Sequence, residues 1–253
     1  MGIVNVTPDS FSDGGRFFDT EAAVSHGREL FAQGAAVVDV GGESTRPGAT
    51  PVPVDEEVRR VVPVVEGLAA HGRVSVDTRN PEVARAAVAA GATLINDVSA
   101  SLWPVAADLG VGWVAMHMQG EPGTMQVAPR YDDVVLEVAA FLSERAELAR
   151  GAGVQEIWVD PGIGFGKTLE HNLAVLAHLD RIVDLGWPVV VGTSRKASFG
   201  RLLAESDGVA EVAPDDRLAG SIASEVWAMH RGATMVRAHD VRAAVQASRV
   251  VAA

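Results

Sequence analysis

Short, near-continuous apolar runs rich in Val, Ile and Ala recur along the chain at MGIVNV (1–6), AAVVDV (35–40), VSVD (74–77), TLIND (93–97), GWVAM (112–116), EIWVD (156–160), PVVVG (188–192) and ATMVR (233–237). All but VSVD lack the alternation of apolar and polar positions that a strand with one wet face shows. Each reads as a strand covered on both faces, the environment of a parallel sheet. Between them lie stretches of Ala, Leu, Arg and Glu with helical spacing, at 20–33, 55–70, 81–90, 132–150, 169–185, 215–231 and 241–252. Strand and helix therefore alternate, and parallel neighbours need such crossovers.

Several of the predicted helices stop in the same way, at QGAA, AGAT, LGVG and RGAT. A glycine just past a helix supplies the left-handed residue that turns the chain into the next strand. The result is a weak internal repeat of a (β/α) unit. Eight such units in 253 residues suit a single-domain α/β TIM (β/α)8 barrel spanning 1–253, in which the loops after the strands carry the chemistry. An open doubly wound sheet shares the alternation and remains the alternative.

Composition narrows the partners. Acidic residues number 33 against 21 basic, a net charge of −12, so the chain lacks the broad basic face that duplex nucleic acid requires. The basic residues are all Arg apart from Lys167 and Lys196, two exceptions worth following. With no cysteine there are no disulfides or thiolate metal sites. No basic n-region opens the sequence, and no apolar run approaches the roughly 20 residues that cross a bilayer. The expectation is a soluble cytoplasmic protein with neither nucleic acid nor membrane as partner.

In a barrel, the polar residues that end each apolar run share one mouth. Here these are Asn5, Glu43, Asp77, Asn96 with Asp97, His117, Asp160, then Ser194, Arg195 and Lys196, and lastly Arg237, His239 and Asp240. Any one of them is equally well a helix cap or a satisfied strand end, but their recurrence on nearly every strand favours a site. Two long loops, 7–21 and 43–53, have the composition of lids or binding loops. RAHD places Arg237 and His239 on one side of an extended strand end, and with Arg195 and Asn5 they make an anion pocket. DPGIGFGKT (160–168) imitates a phosphate loop but has Pro161 where that motif needs Gly, which excludes it. The remaining histidines are scattered over helical stretches, so no structural zinc is expected. Asn, Asp and substrate phosphate oxygens could hold Mg²⁺.

Taken together, NVTPDSFSDGG (5–15), GGESTRPG (41–48), SVDT (75–78), INDVS (95–99), DPGIGFGKT, TSRK (193–196) and RAHD (237–240) resemble, in order and over essentially the whole chain, the motifs of the dihydropteroate synthase family. The resemblance implies a TIM barrel that joins 4-aminobenzoate to (7,8-dihydropterin-6-yl)methyl diphosphate in folate biosynthesis, releasing pyrophosphate. It also implies the roles of residues. Asp160 and Asn96 would read the pterin's amino-pyrimidinone edge, Asp77 would face the ring nitrogens and methylene, and Lys196 would bond ring acceptors near the 4-aminobenzoate site, while Met116 and Phe165 would wall the ring.

Pyrophosphate would lie over Arg237, His239 and Asn5, with Asn5 also matching the family's Mg²⁺ ligand. Phe11, Asp13, Thr45, Arg46 and Pro47, on the two long loops, would close over the pterin and shape the 4-aminobenzoate pocket, and Thr45 would also contact the pterin diphosphate. Loss of pyrophosphate would be dissociative and Mg²⁺-assisted, and the family is sulfonamide-targeted and typically dimeric. The chain departs from the family pattern at Ala197, which leaves Ser198 or backbone N–H groups for the 4-aminobenzoate carboxylate, at a short 99–110 connection, and in beginning almost directly at strand one. A methyltetrahydrofolate-dependent methyltransferase would share the Asp and Asn contacts but has no use for the first two motifs or SRK. A non-catalytic pterin-binding paralogue would have lost loop or phosphate residues that this chain keeps. Lys167 has no implied role, and a structural or surface position is expected for it.

Overall fold

The structure, a computed structural model, describes residues 1–6, 20–44 and 51–253. Strands β1 (Gly2–Asn5), β2 (Val37–Gly41), β3 (Arg73–Asp77), β4 (Leu94–Asp97), β5 (Gly112–Met116) and β6 (Ile157–Asp160) pair in parallel in sequence order, and β7 (Val190–Val191) pairs with β8 (Met235–Val236). Two seams close these sheets into a ring. Val159 bridges Val189, with the Val159 N–H donating to Pro188 O at 3.0 Å, and Gly2 bridges Ala238, with the Ala238 N–H donating to Met1 O at 2.9 Å. Closure excludes the open sheet and gives the TIM barrel.

Side chains two apart on a strand point the same way, and the burial follows that rule. Val38, Val40, Val74, Val76, Ile95, Trp113, Ala115, Val159 and Val191 face outward into the main core under the helices. Met1, Val37, Leu94, Val114 and Val190, with Trp158 and Met235 against them, fill the barrel's inside. An Arg73–Glu156 ion pair, 2.6 Å at its shortest, stands where β3 begins. The apolar plug leaves the strands' C-terminal ends for polar residues.

Helices α1 (Thr20–Ala32), α2 (Val54–Ala69), α3 (Pro81–Ala89), α4 (Trp103–Leu109), α5 (Val134–Gly151), α6 (Leu169–Ala177), α7 (Asp180–Val183), α8 (Ala197–Asp207), α9 (Leu218–His230) and α10 (Val241–Val251) surround the barrel. The four predicted glycine stops have φ of +102° (Gly34), +115° (Gly91), +67° (Gly110) and +101° (Gly232). The single helix expected over 169–185 is broken after Ala177, where His178 leaves helical geometry at φ −114°, ψ 32°. Two helices escaped the pattern. The first, α4, is short and sits behind a loop knotted by buried Asp97, which accepts from the N–H groups of Ser99, Ser101 and Leu102 at 2.9, 2.7 and 2.6 Å and from Trp113 Nε1 at 3.2 Å. The second, α8, contains Gly200, a weak helix former, because a Cβ there would lie 2.5 Å from Arg217 Nε.

Candidate active site

Asn5 pairs with Gly41, Gly41 with Asp77, and Asp77 with Asn96, so one row of the barrel crosses four strands at the mouth. Because residue 41 has no side chain, Asn5 Oδ1 and Asp77 Oδ2 approach to 3.8 and 3.7 Å of the point its Cβ would occupy. Asp39, two residues earlier and on the same face, is fully buried. Its Oδ2 accepts from Asn96 Nδ2 at 2.9 Å and from Arg237 Nε at 2.7 Å, while Arg237 Nη2 donates to Asp77 Oδ2 at 2.7 Å. Two carboxylates thus share one guanidinium across the barrel. Sequence reasoning missed Asp39. The available signal was an ionisable residue in the middle of the run AAVVDV.

This crowding shifts the titrations. Burial pushes Asp77 up to about 7; Arg237 opposes the shift, Asp39 and Glu57 add to it, and Lys196 opposes it. For Arg237, burial works against the charge, but Asp39 and Asp77 outweigh it and raise the pKa further. Lys196 falls to about 8 through burial and the neighbouring Arg237, against the pull of Asp160 and Asp77.

Asp160 ends β6, and its Oδ1 accepts from the Gly162 N–H at 2.7 Å, which leaves the other oxygen for a ligand. Burial raises its pKa, with that N–H, Lys196, Arg237 and Lys167 acting in the opposite direction. The following loop is pressed onto the end of β5. Gly162 has φ +65° and would put a Cβ 1.8 Å from His117 O and 3.5 Å from Met116 Cγ. Lys167 fastens the loop from beneath. Its Nζ is within 2.8 Å of His117 Nδ1 and donates to Gly162 O at 3.0 Å and Phe165 O at 3.2 Å. An amine turned inward in this way binds no phosphate, in line with the rejected phosphate loop. His117, read as a mouth residue, faces Lys167 instead, and burial, with Lys167 adding to it, holds its pKa down at about 3, so that the ring is neutral.

Phe165 lies beneath Lys196, whose Nζ is 4.1 Å from the ring centroid. Ser198, expected to meet a carboxylate, accepts from Asn172 Nδ2 at 3.1 Å, and Asn172 Oδ1 accepts from the Gly164 N–H at 2.7 Å, so both residues brace the same loop.

The β7 and β8 ends complete the mouth. Ser194 Oγ accepts from the His239 N–H at 3.1 Å and lies 3.1 Å from His239 Nδ1. That contact occupies Nδ1 and leaves Nε2 as the ring nitrogen open to a ligand. Burial, with Arg237 and Arg195 adding to it, lowers His239 to about 3, so the ring is neutral. Arg195 also departs from the anion pocket. Its Nε and Nη2 donate to Asp240 at 3.1 and 3.0 Å and its Nη1 to Asp215 at 2.6 Å. Phe11, Asp13, Thr45, Arg46 and Pro47 lie outside the described residues.

One mouth therefore holds two acidic edges, Asp77 and Asp160, beside an Asn amide, with Lys196, Arg237 and a His ring nitrogen from the last two strands. Such a site suits a flat ligand with several N–H donors and an anionic arm. Among the described residues no three His, Cys, Asp or Glu side chains stand together as a metal site, and no helix is long and apolar enough to cross a membrane.

Comparisons with known proteins agree with this chemistry. The family described as pterin binding enzyme matches residues 1–239. A dihydropteroate synthase of Escherichia coli (strain K12) is 47% identical over 261 residues, covering 100% of this chain and 90% of that protein. The Xanthomonas albilineans dihydropteroate synthase solved with 4-aminobenzoic acid superposes with a TM-score of 0.90 at 52% identity, covering 98% of this chain and 90% of the other. The Yersinia pestis enzyme in a sulfonamide drug complex gives a TM-score of 0.91 at 42% identity, with 99% and 92% covered.

Proposed function

The chain belongs to the pterin-binding enzymes, and from that premise we propose that it is a transferase of folate biosynthesis that catalyses the dihydropteroate synthase reaction. It condenses (7,8-dihydropterin-6-yl)methyl diphosphate with 4-aminobenzoate to give 7,8-dihydropteroate and pyrophosphate. The observation that carries the reading is the separation of charge at one mouth, with Asp77 and Asp160 on β3 and β6 and Lys196, Arg237 and His239 after β7 and β8.

The geometry serves this reaction as follows. The free oxygen of Asp160 and the amide of Asn96 take the donors of the pterin edge. Phe165 and Met116 supply apolar surface to its faces, and Lys196, held over Phe165, donates to a ring acceptor. As the methylene–oxygen bond breaks, positive charge grows on the pterin and negative charge on the departing diphosphate. Asp77 and Asp160 stabilise the first, and His239 Nε2 and the remaining Arg237 N–H groups stabilise the second, with no reorganisation at the moment of reaction. The amine of 4-aminobenzoate then attacks the methylene carbon and loses a proton. By the family resemblance, Phe11, Asp13, Thr45, Arg46 and Pro47 are assigned to excluding water from this reaction.

Mg²⁺ belongs to the same proposal. A single neutral Asn5 oxygen next to the bare Gly41 does not make an all-protein site, but it fits a hard cation that takes most of its oxygens from diphosphate and water. Bound there, the metal would neutralise charge on the leaving group. A homodimer is also proposed. The face of α6, α8 and α9 exposes Leu173, Leu202 and Trp227 by 40, 38 and 42% along an apolar groove of about 510 Å³, and a second copy would cover it. The enzyme would act in the cytoplasm on small molecules, with neither nucleic acid nor membrane as a partner.

The test is pyrophosphate release by the purified protein with the pterin diphosphate, 4-aminobenzoate and Mg²⁺. Turnover that needs both substrates is expected, and folded protein that releases none refutes the reading. Inhibition competitive with 4-aminobenzoate is expected of a sulfonamide.

A further inference from the structure

We propose that Asp39 is a positioning residue that fixes the orientation of the Asn96 amide, and so sets the donor–acceptor polarity that the barrel offers to the pterin edge. The proposal rests on the reading of the mouth as a pterin site. Asp39 makes no contact with solvent and lies below the row that meets the ligand, so its role runs through Asn96.

The chemistry is restrictive. A carboxylate in contact with a guanidinium only accepts hydrogen bonds. Arg237 Nε reaches Asp39 Oδ2 at 2.7 Å, so the Asn96 atom that meets the same oxygen at 2.9 Å has to be the nitrogen. Asn96 Oδ1 and the second hydrogen on Nδ2 are left for a ligand, an acceptor beside a donor. Nothing intrinsic to Asn fixes that choice, because its terminal torsion is broad and nearly two-fold, and oxygen and nitrogen exchange places on a half-turn. A ring edge that presents a donor next to an acceptor would meet the right pattern in one rotamer and two mismatches in the other. Asp39 removes the second rotamer before the ligand arrives. Among the described residues its buried Oδ1 finds no partner, so the carboxylate is kept here at the expense of an acceptor they leave unmet. Arg237, clamped by Asp39 and Asp77 together, accounts for the ion pair but not for the contact with Asn96.

A double-mutant cycle tests the coupling. Binding of a pterin without the diphosphate, 6-hydroxymethyl-7,8-dihydropterin, is measured by calorimetry for the wild type, Asp39→Ala, Asn96→Ala and the double variant, together with binding of pyrophosphate. Asp39→Ala, which removes the shared acceptor, is expected to weaken the pterin about tenfold or more in the wild-type background and less than twofold in the Asn96→Ala background. In steady state it should raise KM for the pterin diphosphate while leaving KM for 4-aminobenzoate within twofold. An equal effect in both backgrounds overturns the proposal, as does a loss confined to pyrophosphate, which would assign Asp39 to Arg237 alone.

Should Asp39→Ala not fold, the Asn96 side-chain amide signals of the wild type, identified by their absence in Asn96→Ala, decide the matter. One protected hydrogen in the ligand-free protein is expected, and two that exchange rapidly with solvent overturn the proposal. Pyrophosphate release by the wild type keeps the two readings apart. A wild type that turns over but shows no coupling loses only the Asp39 assignment, whereas one that neither turns over nor binds the pterin loses both.

Discussion

Lys167→Met keeps the length of the side chain and takes one nitrogen out of the loop between β6 and α6. That nitrogen meets His117 Nδ1, Gly162 O and Phe165 O at 2.8, 3.0 and 3.2 Å, and Lys167 is only 2% exposed, so water does not replace it. An unmet buried acceptor costs about 1–3 kcal/mol. At pH 9 the amine, with its pKa near 7, is neutral and carries two N–H, so two acceptors are left unmet in the Met variant and, partly relieved by loop movement, set the expected loss at about 2–4 kcal/mol. The loss should depend on pH. Burial lowers the amine from 10.5 to about 7, against the pull of Asp160 and with Lys196 adding to the fall. Between those values the unfolded chain holds a proton that the folded one has released, so wild-type stability rises with pH across the window, by at most about 1.4 kcal/mol per pH unit. Met has no such proton. The gap between the two proteins should therefore be narrower at pH 7 by roughly 2 kcal/mol.

Urea unfolding at the two pH values measures this gap. A melting point lowered by about 4–8 °C at pH 9 corresponds to the lower end of the range. KM for the pterin diphosphate should rise as well, because the same loop carries Phe165 and follows Asp160. A Met variant as stable as the wild type at both pH values, or a gap that narrows on going to pH 9, would show that Lys167 is not the buried donor described.

Other expectations follow from the same geometry. Glu225 in α9 is buried with neither oxygen hydrogen-bonded among the described residues, and burial, reinforced by Asp240 and opposed by the terminal amine, pushes it up to about 8. The unfolded carboxyl ionises near 4.5, so stability is lost as pH rises from there to about 8, and Glu225→Gln should recover roughly 2–4 kcal/mol at pH 8 and almost nothing at pH 4.5; an equal gain at both would disprove it. With Asp77 near 7 and Lys196 near 8, kcat/KM for the pterin diphosphate should fall on the acid side with an apparent pKa near 7 and on the basic side near 8. Asp77→Asn should remove the acid limb, and an acid limb near 4 would contradict the assignment. Gly162→Ala forces a Cβ to within 1.8 Å of a backbone oxygen at φ +65°, and should cost about 2–4 kcal/mol and most of the pterin affinity, read by thermal melting and calorimetry.

The barrel and most of its mouth were legible because both are written locally. Apolar runs mark strands, and in a closed parallel barrel the residue that ends each run has only one place to go. Asn5, Asp77, Asn96, Asp160, Lys196, Arg237 and His239 follow from that rule. What the sequence hid depends on contacts between distant residues. Asp39 looks like one more position in a Val-rich strand until Arg237, 198 residues away, is beside it. Arg195 reads as a free cation until Asp240 and Asp215 reach it, and His117 as a mouth residue until Lys167 turns inward to meet it. Helix α8 was concealed by Gly200, whose presence makes sense only once Arg217 occupies the space.

The seams of the barrel have a consequence for how the chain folds. The paired β1–β6 ribbon is built from neighbours in sequence, whereas β7 and β8 are two residues long and each joins it by a single bridge. Contacts of such long range form late and open early. Arg237 sits beyond the second seam, and its partners Asp77 and Asp39 lie 160 and 198 residues earlier. Until β8 arrives, these carboxylates repel one another without a counter-ion in the interior. Its arrival removes that repulsion and places Arg237 at the mouth in the same step. Amide exchange should accordingly be faster at Val191, Val236 and Ala238 than at Val40, Val76 and Ile95, and a chain cut before β8 should lose the barrel along with the site. The protein reaches its most stable form by the same event that makes it competent.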